Sequence, residues 1–141
     1  MSHRVIISLA ANRFQSKNLS RARRCLEEVL SDIHYTSEHW TEPVHAHQEG
    51  KHGNSSCRHD AYLNQLAVGT TSMEETELNE WAKQTERSFG RNEQKRLMGI
   101  VPIDLDILEF DGERRHLPDW ERSYIKELIT ELPIKYEVLS V

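Results

Sequence analysis

Cysteine is scarce: only Cys25 and Cys57 occur in 141 residues. Cys25 falls in a helical pattern and Cys57 in a polar stretch, and they form no pair with metal-ligand spacing. That excludes a disulfide scaffold and leaves two free thiols, as in a reducing compartment. Long apolar runs are absent too. None approaches the roughly 18–20 residues that cross a bilayer. The opening "MSHRVIISLAANRF" lacks the apolar segment and small-residue cleavage site of a signal peptide. A cytoplasmic protein without a membrane partner is expected. A basic surplus is also missing. Lys and Arg number 18 against 23 Asp and Glu, for a net charge of −5. This argues against a protein that tracks nucleic-acid phosphates. The local exception is "GRNEQKR", Gly90 to Arg96. No internal repeat is present.

What the chain does contain suits one soluble globular domain over residues 1–141: 37% hydrophobic and 29% charged residues. "RVIISLA" (Arg4 to Ala10) reads as a buried strand. Leu19, Ala22, Leu26, Val29 and Leu30 recur at helical spacing. His34 to Val44 looks extended, and "AYLNQLAVGTT" (Ala61 to Thr71) is a further strand. A second helix carries Leu78, Trp81, Ala82, Thr85 and Phe89 on one face. Ser72 with Glu75 is its expected capping box, and Gly90 its stop. A loop from Arg91 to Pro102 precedes the strand "IDLDILEF". "FDGE" is a turn. Pro118 and Asp119 open a third helix, with Trp120, Tyr124, Ile125, Leu128 and Ile129 inward and Pro133 as its limit. "IKYEVLSV" is a candidate last strand. This order predicts an α+β, ferredoxin-like βαββαβ fold with an additional C-terminal helix. "HAHQEGKHGNSSCRH", His45 to His59, is a polar connection, and its histidines match no zinc pattern with Cys57.

The strand "DLDI" raises the chemical question. Asp104 and Asp106 share one face, roughly 6–7 Å apart at about 3.3 Å per residue. Asp is a poor strand former, and the two like charges repel. Hard divalent cations take carboxylate oxygens, and two such groups can hold two metals that clamp a polyphosphate; the alternative is a solvated strand face. On the preceding strand, Tyr62 and Asn64 share a face. An amide suits the edge of a flat heterocycle, and an aromatic ring suits its plane.

"YLN", a helix ending "TERSFGR", a basic loop and "DLDILEFDGE" together resemble the 6-hydroxymethyl-7,8-dihydropterin pyrophosphokinase family of folate biosynthesis. The resemblance covers about residues 4 to 130. It implies a ferredoxin-like fold and an ATP-dependent diphosphotransferase that moves pyrophosphate from ATP to the pterin and leaves AMP. It implies two Mg²⁺ held by Asp104 and Asp106, with Arg91 also catalytic. Thr41, Pro43, Tyr62, Asn64 and Tyr124 would meet the pterin, and Glu86, Arg91 and Arg114 the ATP. Asn12 of "LAANR" stands where the family has "GSN". The implied partners are ATP and 6-hydroxymethyl-7,8-dihydropterin; with the charge and hydropathy above, no nucleic acid and no membrane are expected, and the chain is expected to be a monomer.

The sequence also departs from the family's "RWGPRTLDLD" context. Val101 and Glu93 stand at arginine positions, and Met98 stands for the tryptophan. The family's His-Tyr pair after Pro118 reads Asp119-Trp120. Such cations neutralise charge in phosphoryl transfer. The alternative is therefore a homologue with weakened or lost catalysis that binds nucleotide or pterin.

Overall fold

The computed structural model describes residues 1–42 and 61–133. Pro43, the segment from His45 to His59 with Cys57, and the candidate strand "IKYEVLSV" lie outside the described residues. The elements are β1 (His3–Ala11), α1 (Gln15–Leu26), β2 (Ser31–Tyr35), β3 (His39–Thr41), β4 (Tyr62–Thr71), α2 (Glu75–Ser88), α3 (Glu93–Leu97), β5 (Asp104–Phe110), β6 (Glu113–Arg114), a 3₁₀ turn (Leu117–Glu121) and α4 (Ser123–Ile129).

The strands form an antiparallel sheet in the order β2-β4-β1-β5-β6, with β3 also on β4. The two split βαβ crossovers put β1 between β4 and β5, which is the ferredoxin-like arrangement expected from the element order.

Period-two alternation on β1 separates two layers. Val5, Ile7, Leu9 and Ala11 face a core shared with Leu19 and Leu26 of α1 and Leu78 and Ala82 of α2. Ile6 faces the other way, where Leu66, Val68 and Leu108 meet Trp120, Ile125, Leu128 and Leu132. The extra residue that puts both Ile107 and Leu108 into cores is a bulge in β5 opposite Ile6 and Ile7. Each fully buried Leu or Ile contributes about 1.5–3 kcal/mol. Cys25 is a free thiol packed at the edge of the first core.

Five local expectations need adjustment. The first helix ends at Leu26, because Ser31 must already pair with Thr70; Val29 and Leu30 lie beyond it, and Leu30 is still buried. The extended segment begins at Ser31 and breaks into β2 and β3 around Thr36. There the Thr36 hydroxyl accepts the Leu66 N–H at 3.0 Å and the Thr36 carbonyl accepts the Gln65 amide at 2.7 Å. The capping box of α2 is Glu74 with Glu77; the Thr71 hydroxyl holds the Met73 N–H, so residues 71–73 complete a turn. The loop after Gly90 contains α3, started by the Asn92 side chain accepting the Lys95 N–H at 2.8 Å. The third helix is divided at Arg122, whose backbone is extended. Trp120 anchors the first piece by donating to the Leu108 and Arg115 carbonyls at 3.2 and 3.0 Å. The "FDGE" turn is a two-residue hairpin in which Asp111 and Gly112 have φ of 53° and 85°.

Candidate active site

Among the described residues, only part of the second face of the sheet is covered. α4 has seven residues, about 10 Å of helix at 1.5 Å per residue. It shields Ile6, Leu66 and Leu108 and leaves the neighbouring part of the face open as a cleft of about 520 Å³. Sheet register sets the floor. Asn64, Ala10 and Asp104 lie in one row across β4, β1 and β5. Leu66, Ser8 and Asp106 lie in the next. Small side chains at Ser8 and Ala10 keep the middle of the floor low. Asp119, Arg122, Ser123 and Tyr124 form one wall, and Thr41 and Glu42 stand at the β3 end.

The two aspartates have different neighbours. The Arg91 guanidinium donates to Asp104 at 2.7 Å and lies 3.2 Å from Glu86. Gly90, with φ 95°, turns the chain out of α2 so that Arg91 reaches back to β5. Burial alone would lower the Arg91 pKa, but the hydrogen bond and charge of Asp104, with the charge of Glu86, outweigh it and raise it. Glu86 accepts the Leu105 N–H at 2.8 Å. Its carboxyl is raised, chiefly by burial. Glu86 and Arg91 thus tie α2 to the start of β5. No lysine or arginine among the described residues pairs with Asp106. Burial first, and then the charge of Asp104, push its carboxyl up from 3.8 to about 7.

Asn64 is buried, and its amide nitrogen donates to the His39 carbonyl at 2.9 Å and the Thr41 hydroxyl at 3.0 Å. It clamps β3 to β4, and no hydrogen bond among the described residues uses its carbonyl oxygen. The Tyr124 ring stacks on His39, with centroids 6.0 Å apart and planes at 14°. Asn12 does not line the cleft. It donates to the Gly99 carbonyl at 2.8 Å and accepts the Val101 N–H at 2.7 Å. Asn18 adds a bond to the Pro102 carbonyl at 3.0 Å. Both asparagines therefore fix the segment that delivers β5.

Residues 6–134 match the family model for 7,8-dihydro-6-hydroxymethylpterin-pyrophosphokinase. The chain belongs to this family. A curated relative, a folate synthesis bifunctional protein of Arabidopsis thaliana, is 27% identical over 139 residues. That match covers 91% of this chain and 26% of the relative, so the chain spans about a quarter of the relative's length.

Among the positions the family resemblance picks out, Thr41, Tyr62, Asn64, Asp104, Asp106 and Tyr124 converge on the cleft. Glu86 and Arg91 stand behind Asp104 without lining it, and Pro43 lies outside the described residues. Arg114 lies over the Trp120 ring, 4.1 Å from its centroid, and does not line the cleft. Sequence reasoning missed Ser8, Ala10, Asp119 and Arg122 as lining groups, and His39 and His116 as neighbours. The alternation of small Ser8 and Ala10 with large Val5, Ile7 and Leu9 was a signal for the first two. Asp119 had one in its place at the family's His-Tyr pair, and Arg122 in its place two residues before Tyr124; His39 and His116 had none, because a strand break and the approach to a 3₁₀ turn bring them in.

Proposed function

We propose that the chain catalyses Mg²⁺-dependent transfer of pyrophosphate from ATP to 6-hydroxymethyl-7,8-dihydropterin, a step of folate biosynthesis that releases AMP. The observation carrying this reading is the row Asn64–Ala10–Asp104, which puts an amide and a carboxylate at opposite sides of one open floor. Family membership points the same way. In this reading, Asn64 offers its carbonyl to the pterin's ring donors. Tyr62 and Tyr124 bracket the ring, and Thr41 orients Asn64. Arg91, released from Asp104, turns its guanidinium toward the phosphates and stabilises charge there.

The donor set fits Mg²⁺. Asp104 and Asp106 are hard oxygen ligands on one face, and the rise of Asp106 to about 7, driven first by burial and then by the charge of Asp104, marks a carboxylate that a bound cation would favour in its ionised form. Mg²⁺ held there would neutralise polyphosphate charge. Cytoplasmic location and a monomeric state belong to the same proposal.

A second reading has a specific observation behind it. Each cation of the loop is already engaged within the chain: Arg91 with Asp104, Lys95 with the Gly90 carbonyl at 2.9 Å, and Arg96 with Glu93. A homologue that binds ATP or pterin with slow or no transfer would look this way. Incubating the purified protein with ATP, Mg²⁺ and the hydroxymethyl pterin separates the two. AMP formed one-for-one with pterin diphosphate supports the transferase. Calorimetric binding of both ligands without AMP, even at stoichiometric enzyme, supports the binding homologue. Failure to bind either ligand overturns both.

A further inference from the structure

Asp106 has neighbours that its pairing with Asp104 does not use. His116 places Nε2 3.9 Å from Asp106 Oδ1. Asp119 completes a group in which one ligand atom from each of Asp106, His116 and Asp119 lies within 4.8 Å of the others. The three come from separate pieces of chain: β5, the left-handed residue before the 3₁₀ turn, and the turn itself. Arg122 donates to Asp119 Oδ1 at 3.2 Å and orients that carboxylate. Asp104, in contrast, is neutralised by Arg91. The ligand-free protein therefore has two unequal halves: Asp104, paired with Arg91, and a mixed nitrogen and oxygen group in which Arg122 pairs with Asp119 while no lysine or arginine among the described residues pairs with Asp106.

We propose that Asp106, His116 and Asp119 bind a first-row transition-metal dication, such as Mn²⁺, Co²⁺ or Zn²⁺, in the absence of nucleotide. Imidazole is a borderline ligand that favours such ions over Mg²⁺. Mg²⁺ keeps its waters and relies on substrate phosphates for much of its binding. Bonds of about 2.1 Å hold ligand atoms about 3–4 Å apart, so closing this group needs about 1 Å of side-chain motion. His116 and Asp119 keep enough exposure to move that far: their side chains are 47% and 28% exposed. This site stands whether or not the chain transfers pyrophosphate, although it shares Asp106 with that proposal.

The test is a titration of metal-free protein with Co²⁺, without nucleotide, read by visible d–d absorption. All samples carry His45→Gln, His47→Gln, His52→Gln and His59→Gln, which remove the polar segment's histidines as a background. Saturable binding of one Co²⁺ is expected. His116→Ala and Asp119→Asn should each weaken it about tenfold or more, since even the loss of an outer partner costs about 10–100-fold. Asp104→Asn should leave it within about threefold. Mg²⁺ should compete only at much higher concentration, and Mn²⁺ should compete well. Far-UV circular dichroism checks that each variant is folded; His116→Gln provides a second variant at that position.

The proposal is overturned if His116→Ala and Asp119→Asn bind Co²⁺ as the parent does, if Asp104→Asn loses as much as they do, or if no Co²⁺ spectrum develops. A failed AMP assay with intact Co²⁺ binding overturns the transferase and leaves this site. The converse result overturns this site alone.

Discussion

Asp106→Asn should stabilise the ligand-free protein, increasingly so as pH rises. The Asp106 carboxyl titrates near 7 in the folded chain against an ordinary 3.8. Below about pH 4 the acid is protonated in both states and has no effect on the balance. Between about 4 and 7 the unfolded state releases its proton first, so wild-type stability falls with pH. Above 7 both states are ionised and the loss is complete. The full displacement sets a ceiling of about 4 kcal/mol, at roughly 1.4 kcal/mol per pH unit. Asp106 keeps 30% of its side-chain surface exposed, and water screening there lowers the expectation to about 2 kcal/mol. Asparagine resembles the neutral acid in shape and cannot ionise, so the variant lacks this slope. Urea denaturation of both proteins from pH 4 to 8.5, with EDTA present, measures the difference directly. The variant's advantage should grow by about 2 kcal/mol between pH 4 and 7.5 and then level off. An advantage that does not change with pH would refute the account of Asp106 as a carboxylate crowded by burial and by Asp104.

Asn12→Ala removes both side-chain bonds to the 99–101 segment and should cost about 2 kcal/mol; an unchanged urea midpoint would remove Asn12 from its clamping role. Gly69→Ala brings a Cβ to 2.9 Å from the Ser31 carbonyl, so β2 must shift, at about 1–3 kcal/mol; full stability in thermal unfolding would show that the β2–β4 edge yields freely. Asn64→Ala should weaken pterin binding roughly ten- to a hundredfold, from about 1–3 kcal/mol for an unpaired heterocycle edge, and ATP binding much less. Calorimetry with each ligand tests this, and equal losses would assign Asn64 to clamping β3 alone.

Sequence by itself determined the layout of strands and helices, because alternation on β1, β4 and β5 and the helical spacing on α2 are local properties of side-chain direction. It also determined that Asp104 and Asp106 share a face and that Asn64 and Tyr62 share another, since period two leaves no choice. Element ends were less legible. Where α1 stops depends on Ser31 reaching Thr70, a partner 39 residues away along the chain. Which Glu caps α2 depends on how β4 releases into its turn. Tertiary structure alone decided that these faces meet: antiparallel register about β1 brings Asn64 and Asp104 into one row through Ala10. It alone decided that Arg91 neutralises Asp104 and that His116 and Asp119 gather at Asp106. Those pairings join residues from separate elements across the end of a sheet, and no periodicity within one element encodes a distance between two.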